Sequence, residues 1–151
     1  MYMNPQTASK ERHTMTQAIS PLAPAKQKSN VRGSLLAASI LGAAIVNVAL
    51  FLIFQAAGAT YENTAAMPVG VTNVLIMTIV PLLIGLGAVA LISRRRPGFV
   101  TIGKWTGIAL ALLTIAMTAT TGFDTLGFVA LALMHVIVAI AIGVALRPTT
   151  R

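Results

Sequence analysis

Residues 126–146 read LGFVALALMHVIVAIAIGVAL, a stretch with no Asp, Glu, Lys or Arg and a single ionisable side chain, His135, near its middle. A helix of about 20 apolar residues matches the roughly 30 Å hydrocarbon core of a bilayer. An ionisable group at that depth is costly and demands an account. Three blocks of the same kind precede it, over residues 35–57, 70–92 and 102–120. Backbone in lipid must satisfy its own hydrogen bonds, which leaves helices and closed barrels. Barrel strands alternate polar and apolar residues over about 10 positions, whereas these blocks are apolar throughout and about twice as long. The pattern predicts an all-α membrane protein, a four-helix transmembrane bundle.

The charges fix its expected orientation. Only 9% of residues are charged, against about 25% in a soluble domain, and they lie outside the blocks, with Lys104 at the edge of the third. All eleven Lys and Arg lie in three places: Lys10, Arg12, Lys26, Lys28 and Arg32 before the first span; Arg94, Arg95, Arg96 and Lys104 after the second; Arg147 and Arg151 after the fourth. The other two loops carry Glu62 and Asp124. Cytoplasmic loops are rich in Lys and Arg, so the reading is a multi-pass protein of the cell membrane with both termini cytoplasmic. Membrane topology explains the net charge of +8, and a nucleic-acid partner is excluded. Arg94–Arg96 act as a topology signal, with anionic lipid headgroups as a second use. Trp105 beside Lys104 suits an interfacial anchor.

Residues 1–34 are polar, lack apolar periodicity and contain Pro5, Pro21 and Pro24, which predicts a disordered cytoplasmic tail with Met15 as an alternative start. The domain division is then this tail, a four-span domain over 35–147 and a cytoplasmic C-terminus over 148–151. Lys26, Lys28 and Arg32 followed by an apolar block, with Ala57-Gly58-Ala59 beyond, resemble a signal peptide. That block far exceeds the 7–15 residues of a signal core, and a retained span is the preferred reading.

Helices in lipid associate through small residues and polar bonds across the contact. Spacings of three and four put Ile40, Ala43 or Ala44, Asn47 and Phe51 on one stripe of the first span. They put Thr78, Pro81, Gly85 and Ala88 on one stripe of the second, Gly107, Ala111, Thr114 and Thr118 of the third, and Ala132, His135, Ala139 and Gly143 of the fourth. These stripes are expected to face inward. Counted from the basic end at 1.5 Å per residue, Asn47, Pro81, Thr114 and His135 share one depth near the midplane. Pro81 frees the carbonyl of Met77, so a buried polar cluster of Asn47, the Met77 carbonyl, Thr114 and His135 is expected. The ordinary alternative is that His135 and Asn47 are structural glue. The Met77 and Met134 side chains fill core gaps more often than they bind copper.

Much chemistry is missing from the sequence. There is no Cys, which excludes disulfide exchange and iron–sulfur ligation. His135 is the only membrane-embedded His, so paired haem ligands are lacking, and no HExxH, GxSxG or Gly-rich phosphate loop occurs. Glu62 and Asp124, read as facing outward on opposite loops, are too few for an acid–base site. No cofactor and no metal are expected. A small four-span proton-coupled exporter would carry a carboxylate in its first span, where this chain has Asn47.

The fourth-span run Leu131-Ala132-Leu133-Met134-His135 with its apolar continuation resembles the LALMH-type signature of a bacterial, largely actinobacterial, family of small four-span membrane proteins of unknown function. The basic tail, the Asn in the first span and the basic middle turn fit the same plan over about Val31–Arg147. The resemblance implies the fold and no activity. Three functional readings follow: a non-enzymatic accessory or interaction subunit, in a homo-oligomer or with a membrane partner; a small-solute or proton transporter or channel, which needs a water-accessible cavity reaching His135; and a lipid- or quinone-linked enzyme, which needs a lateral opening beside His135.

Overall fold

A computed structural model describes residues 31–62 and 68–147. Most of the tail expected to be disordered, the loop centre 63–67 and the terminal segment 148–151 lie outside the described residues. Four helices follow in order: α1 (Gly33–Ala56), α2 (Val71–Ser93), α3 (Phe99–Ala119) and α4 (Thr125–Ala145). All four are long and apolar enough to cross a membrane. At 1.5 Å per residue they measure roughly 31–36 Å. α3 begins three residues before the expected 102. Turn bonds from Phe99 N to Arg96 O and from Val100 N to Pro97 O carry the chain straight from the basic turn into the helix.

α4 is the central element. It packs along α1 on one side and α3 on the other, and α1 and α3 do not touch. α2 lies along α1, meets α3 sparsely and barely reaches α4. The helices thus form a ring whose α2–α3 edge is only partly closed. Two apolar clusters hold it. One, toward the basic turn, joins Ile40 and Ala43 to Leu82, Leu86, Val89, Val100, Ile142 and Leu146. The other, toward the Asp124 end, joins Phe51, Ala59, Tyr61, Val74, Ala130 and Met134. Leu41, Ile45, Leu83, Ile84, Leu113 and Ile140 are among the large side chains left on the outside, the belt a lipid-facing surface requires.

The inward stripe of α1 is the expected one: Ile40, Ala43, Ala44, Asn47 and Phe51 are buried. The α2 stripe is corrected by about one position. Val74, Thr78, Leu82, Leu86 and Val89 are buried, while Pro81, Gly85 and Ala88 are exposed. On α3, Ala111 is buried and Gly107 and Thr118 are half-buried, but Thr114 is exposed. On α4 only Ala139 of the expected stripe is fully buried, with Ala132, His135 and Gly143 half-buried. The reason is that α4 packs on two neighbours, so its burial spreads over Ala130, Met134, Ala141, Ile142 and Ala145 instead of following one row.

Candidate functional site

The incomplete α2–α3 edge is a cleft with a volume of about 900 Å³. Its walls are Met77, Pro81 and Gly85 of α2 and Leu110, Thr114 and Thr118 of α3. Five of those six are exposed, so the cleft opens sideways, where lipid would lie. Its floor is α4, through Leu131, Met134, His135, Val138 and Ile142, and Asn47 of α1 reaches its deep wall. Toward the basic turn the walls converge: Gly103 meets Val89 so closely that a Cβ there would collide with the valine Cγ2. The absence of a side chain at Gly103 leaves room for Val89 of α2 to pack against α3. The helices meet at that end, and the cleft lining extends to Asn73 and Phe123 at the other.

All four members of the expected polar cluster line this cleft, but the hydrogen bonds are different from those expected. Asn47 Nδ2 donates to Thr78 Oγ1 at 3.0 Å, a buried bond between α1 and α2. Thr114 Oγ1 donates to Leu110 O at 2.8 Å on its own helix. His135 Nδ1 lies 2.7 Å from Leu131 O, also on its own helix. A carbonyl only accepts, so Nδ1 is the donor of that pair. The Met77 side chain is 72% exposed and points along the opening. The physical reason is reach: hydroxyl and imidazole groups in a helix can bond the carbonyl one turn back, and α2 stands too far from α3 here to compete. Asn47 Oδ1 is left buried with no partner.

A second construction lies at the Asp124 end. The side chain of Asp124 caps α4, its Oδ2 accepting from Gly127 N at 3.0 Å. Its Oδ1 accepts from Thr60 Oγ1 of the α1–α2 loop at 3.2 Å. The first bond above all, aided by Thr60, holds the Asp124 carboxyl below the usual carboxylate range. Gly127 has no room for a side chain, because a Cβ would sit 2.6 Å from Asp124 Oδ1. Tyr61 follows with a left-handed φ of 54° and is 1% exposed. Its ring stacks on Phe51 with centroids 4.4 Å apart, and its hydroxyl donates to Phe51 O at 3.1 Å. Burial, then the nearby Asp124 charge, pushes the Tyr61 hydroxyl above its ordinary range. The loops of Glu62 and Asp124, expected to stand apart, are joined.

At the other end, Arg94, Arg95 and Arg96 are exposed. Lys104 Nζ lies 5.7 Å from the Trp105 ring centroid, within cation–π range, and Trp105 is exposed. No group of three or more metal-ligating side chains occurs among the described residues.

A family model matches residues 26–151, nearly the whole chain: the family of unknown function DUF6069. The chain belongs to that family. No curated protein and no solved structure matches it. Membership in DUF6069 brings no activity, so the chemistry of the site rests on its residues. In this DUF6069 chain, three contributors escaped the sequence reading. Helical spacing puts Thr78 on an inward stripe without marking it as the partner of Asn47. Tyr61 carries no sequence signal for its left-handed turn. Asp124 did carry one, an N-cap residue directly before an apolar run.

Proposed function

We propose that this chain is a non-enzymatic protein of the bacterial cell membrane that holds a lipid-soluble small molecule in the α2–α3 cleft, working as an accessory subunit. The observation that carries this reading is the cleft itself: a lateral, mostly apolar space running along α2 and α3 with a few polar groups in its lining. Its volume of about 900 Å³ falls in the roughly 300–1,000 Å³ range of small-molecule sites. A transmembrane helix of a partner fits it less well, because Val89 against Gly103 blocks the groove at one end. The same closure works against a transport path. His135 is the one ionisable side chain in the lining, which favours binding over acid–base catalysis.

The test is extraction. The protein is purified from native membranes in mild detergent beside Gly85→Phe, and organic extracts of both are compared by mass spectrometry. A Cβ at Gly85 meets nothing within 4 Å, so a larger side chain on this cleft-lining position takes up part of the space without straining the helix. The wild type should retain a lipid-soluble compound that the variant lacks. Identical extracts would sink the proposal.

Its orientation, with both termini and the Arg94–Arg96 turn in the cytoplasm and that turn against anionic headgroups, is supported by the confinement of basic residues to one end. The LALMH-type run in α4 supports a largely actinobacterial origin. Because the chain has no Cys, single cysteines at positions 62 and 95 report orientation cleanly. Labelling of both by an impermeant reagent from the same side of sealed cells would refute it.

A further inference from the structure

The cleft reading above leaves the occupant's chemistry open, and the turn that joins the cleft's two walls narrows it. The inference rests on that reading. α2 ends at Ser93 and α3 starts at Phe99, so Arg94-Arg95-Arg96-Pro97-Gly98 connects the walls directly. All three arginines are exposed. The described residues hold two carboxylate side chains, Glu62 and Asp124, and both belong to the loops at the opposite end. The arginines stand outside the cleft lining itself, but a row of exposed residues leads from them into it. Pro81 and Gly85 line the cleft. Ala88 and Ile92 continue from them at steps of three and four, all four exposed and on one side of α2. Arg95 N and Arg96 N both donate to Ile92 O, which keeps the chain coiled from the end of that row into the basic turn.

The dimensions suit a lipid. At 1.5 Å per residue, Gly85 lies about 14 Å below Arg94 along α2, close to half of the roughly 30 Å hydrocarbon core. A lipid with its headgroup at the turn therefore has its chain beside the cleft. Gly85 and Ala88 keep the row low, so the chain lies on it outside the contact of Val89 with Gly103. Positive charge anywhere at this end would serve topology; here it stands where the row begins. We infer that the occupant is an anionic membrane phospholipid of the leaflet on the basic side. Its headgroup rests against Arg94–Arg96, whose guanidinium groups take phosphate oxygens in pairs. One acyl chain follows Ile92, Ala88 and Gly85 into the cleft, entering through the lateral opening without leaving the bilayer.

The experiment uses a matched pair, dioleoyl phosphatidylglycerol and dioleoyl phosphatidylcholine, with the same chains and different net headgroup charge. Their binding to the full chain in mild detergent is measured by native mass spectrometry. The proteins compared are wild type, Gly85→Phe and the triple variant Arg94→Gln, Arg95→Gln, Arg96→Gln. Wild type should bind the anionic lipid about tenfold more tightly, because each cation near an anionic headgroup adds attraction. The triple variant should lose that preference while its affinity for the zwitterionic lipid stays the same, a pattern that a merely misfolded variant does not give. Gly85→Phe should weaken both lipids. Equal binding of the pair to wild type, with both weakened in Gly85→Phe, would overturn the anionic inference and leave the cleft reading standing. A full preference retained in the triple variant would overturn the assignment of the headgroup to the arginine turn. Binding of both lipids to Gly85→Phe as to wild type would put their chains outside the cleft and overturn the inference, whatever the headgroup preference.

Discussion

Removing the Tyr61 ring tests whether the α1–α2 loop is docked on the bundle. Tyr61 is 1% exposed, so truncation to Ala empties a filled site. Replacing a buried aromatic residue by Ala costs about 3–5 kcal/mol, of which the stack on Phe51 supplies about 0.5–1.5 kcal/mol. Tyr61→Phe keeps the ring and loses only the hydroxyl bond to Phe51 O. That bond is worth about 1 kcal/mol, and its loss strands no group, because a carbonyl inside α1 keeps its helical partner. Position 61 adds a distinctive signature. Its φ of 54° lies where a Cβ costs about 1–2 kcal/mol, a strain that Tyr61→Gly relieves and Tyr61→Ala keeps. The expected order of stability is wild type, Tyr61→Phe, Tyr61→Gly, with Tyr61→Ala last or level with Gly. Reversible unfolding in mixed micelles with increasing SDS, followed by circular dichroism, measures it. A Tyr61→Ala variant within about 0.5 kcal/mol of wild type would refute the docked loop, given that exposed substitutions fall in that band.

Gly103→Ala should destabilise the bundle by about 1–3 kcal/mol through overpacking against Val89, measured by the same titration; Val89→Ala in the same chain should restore part of the loss. Asp124, its carboxyl held low in the fold, contributes stability that is present above the ordinary carboxylate range of about 4 and lost as pH falls through the lower folded value. Unfolding measured from pH 6 to pH 2 should therefore show an acid limb that Asp124→Asn, which still offers a capping oxygen, flattens. His135→Leu should leave stability within about 0.5 kcal/mol of wild type, because the ring bonds its own helix; a larger loss would mean that His135 ties helices together.

The span count was legible because the bilayer imposes a length and the charges can sit only outside it. Where Ile40, Ala43, Asn47 and Phe51 combine small, polar and aromatic residues at helical spacing, the buried stripe of α1 could be read directly. On α2 the rule that small residues face inward failed. Leu82, Leu86 and Val89 form the contact, while Pro81 and Gly85 border the cleft. In a helix apolar all round, sequence carries no polar face to orient it, and leucine serves lipid and neighbour equally. The helical spacing of Asn47, Thr114 and His135 was visible, but not that they border one open space, because that depends on α2 and α3 staying apart. The Asp124 clasp joins residues 64 apart in the chain, and nothing local to Thr60 or Tyr61 announces it.

The placement of α4 bears on how the molecule is made. Its contacts with α1 and α3 are the most extensive between any helices, and those two do not meet without it. During synthesis the first three spans form only an arc, α1 against α2 and α2 loosely against α3, with the small-residue faces of α3 uncommitted. The ring closes when the last span leaves the translocon, and Asp124 at its leading end then fastens a loop made long before. A chain stopped short of Thr125 is thus an unfinished fold rather than a smaller one.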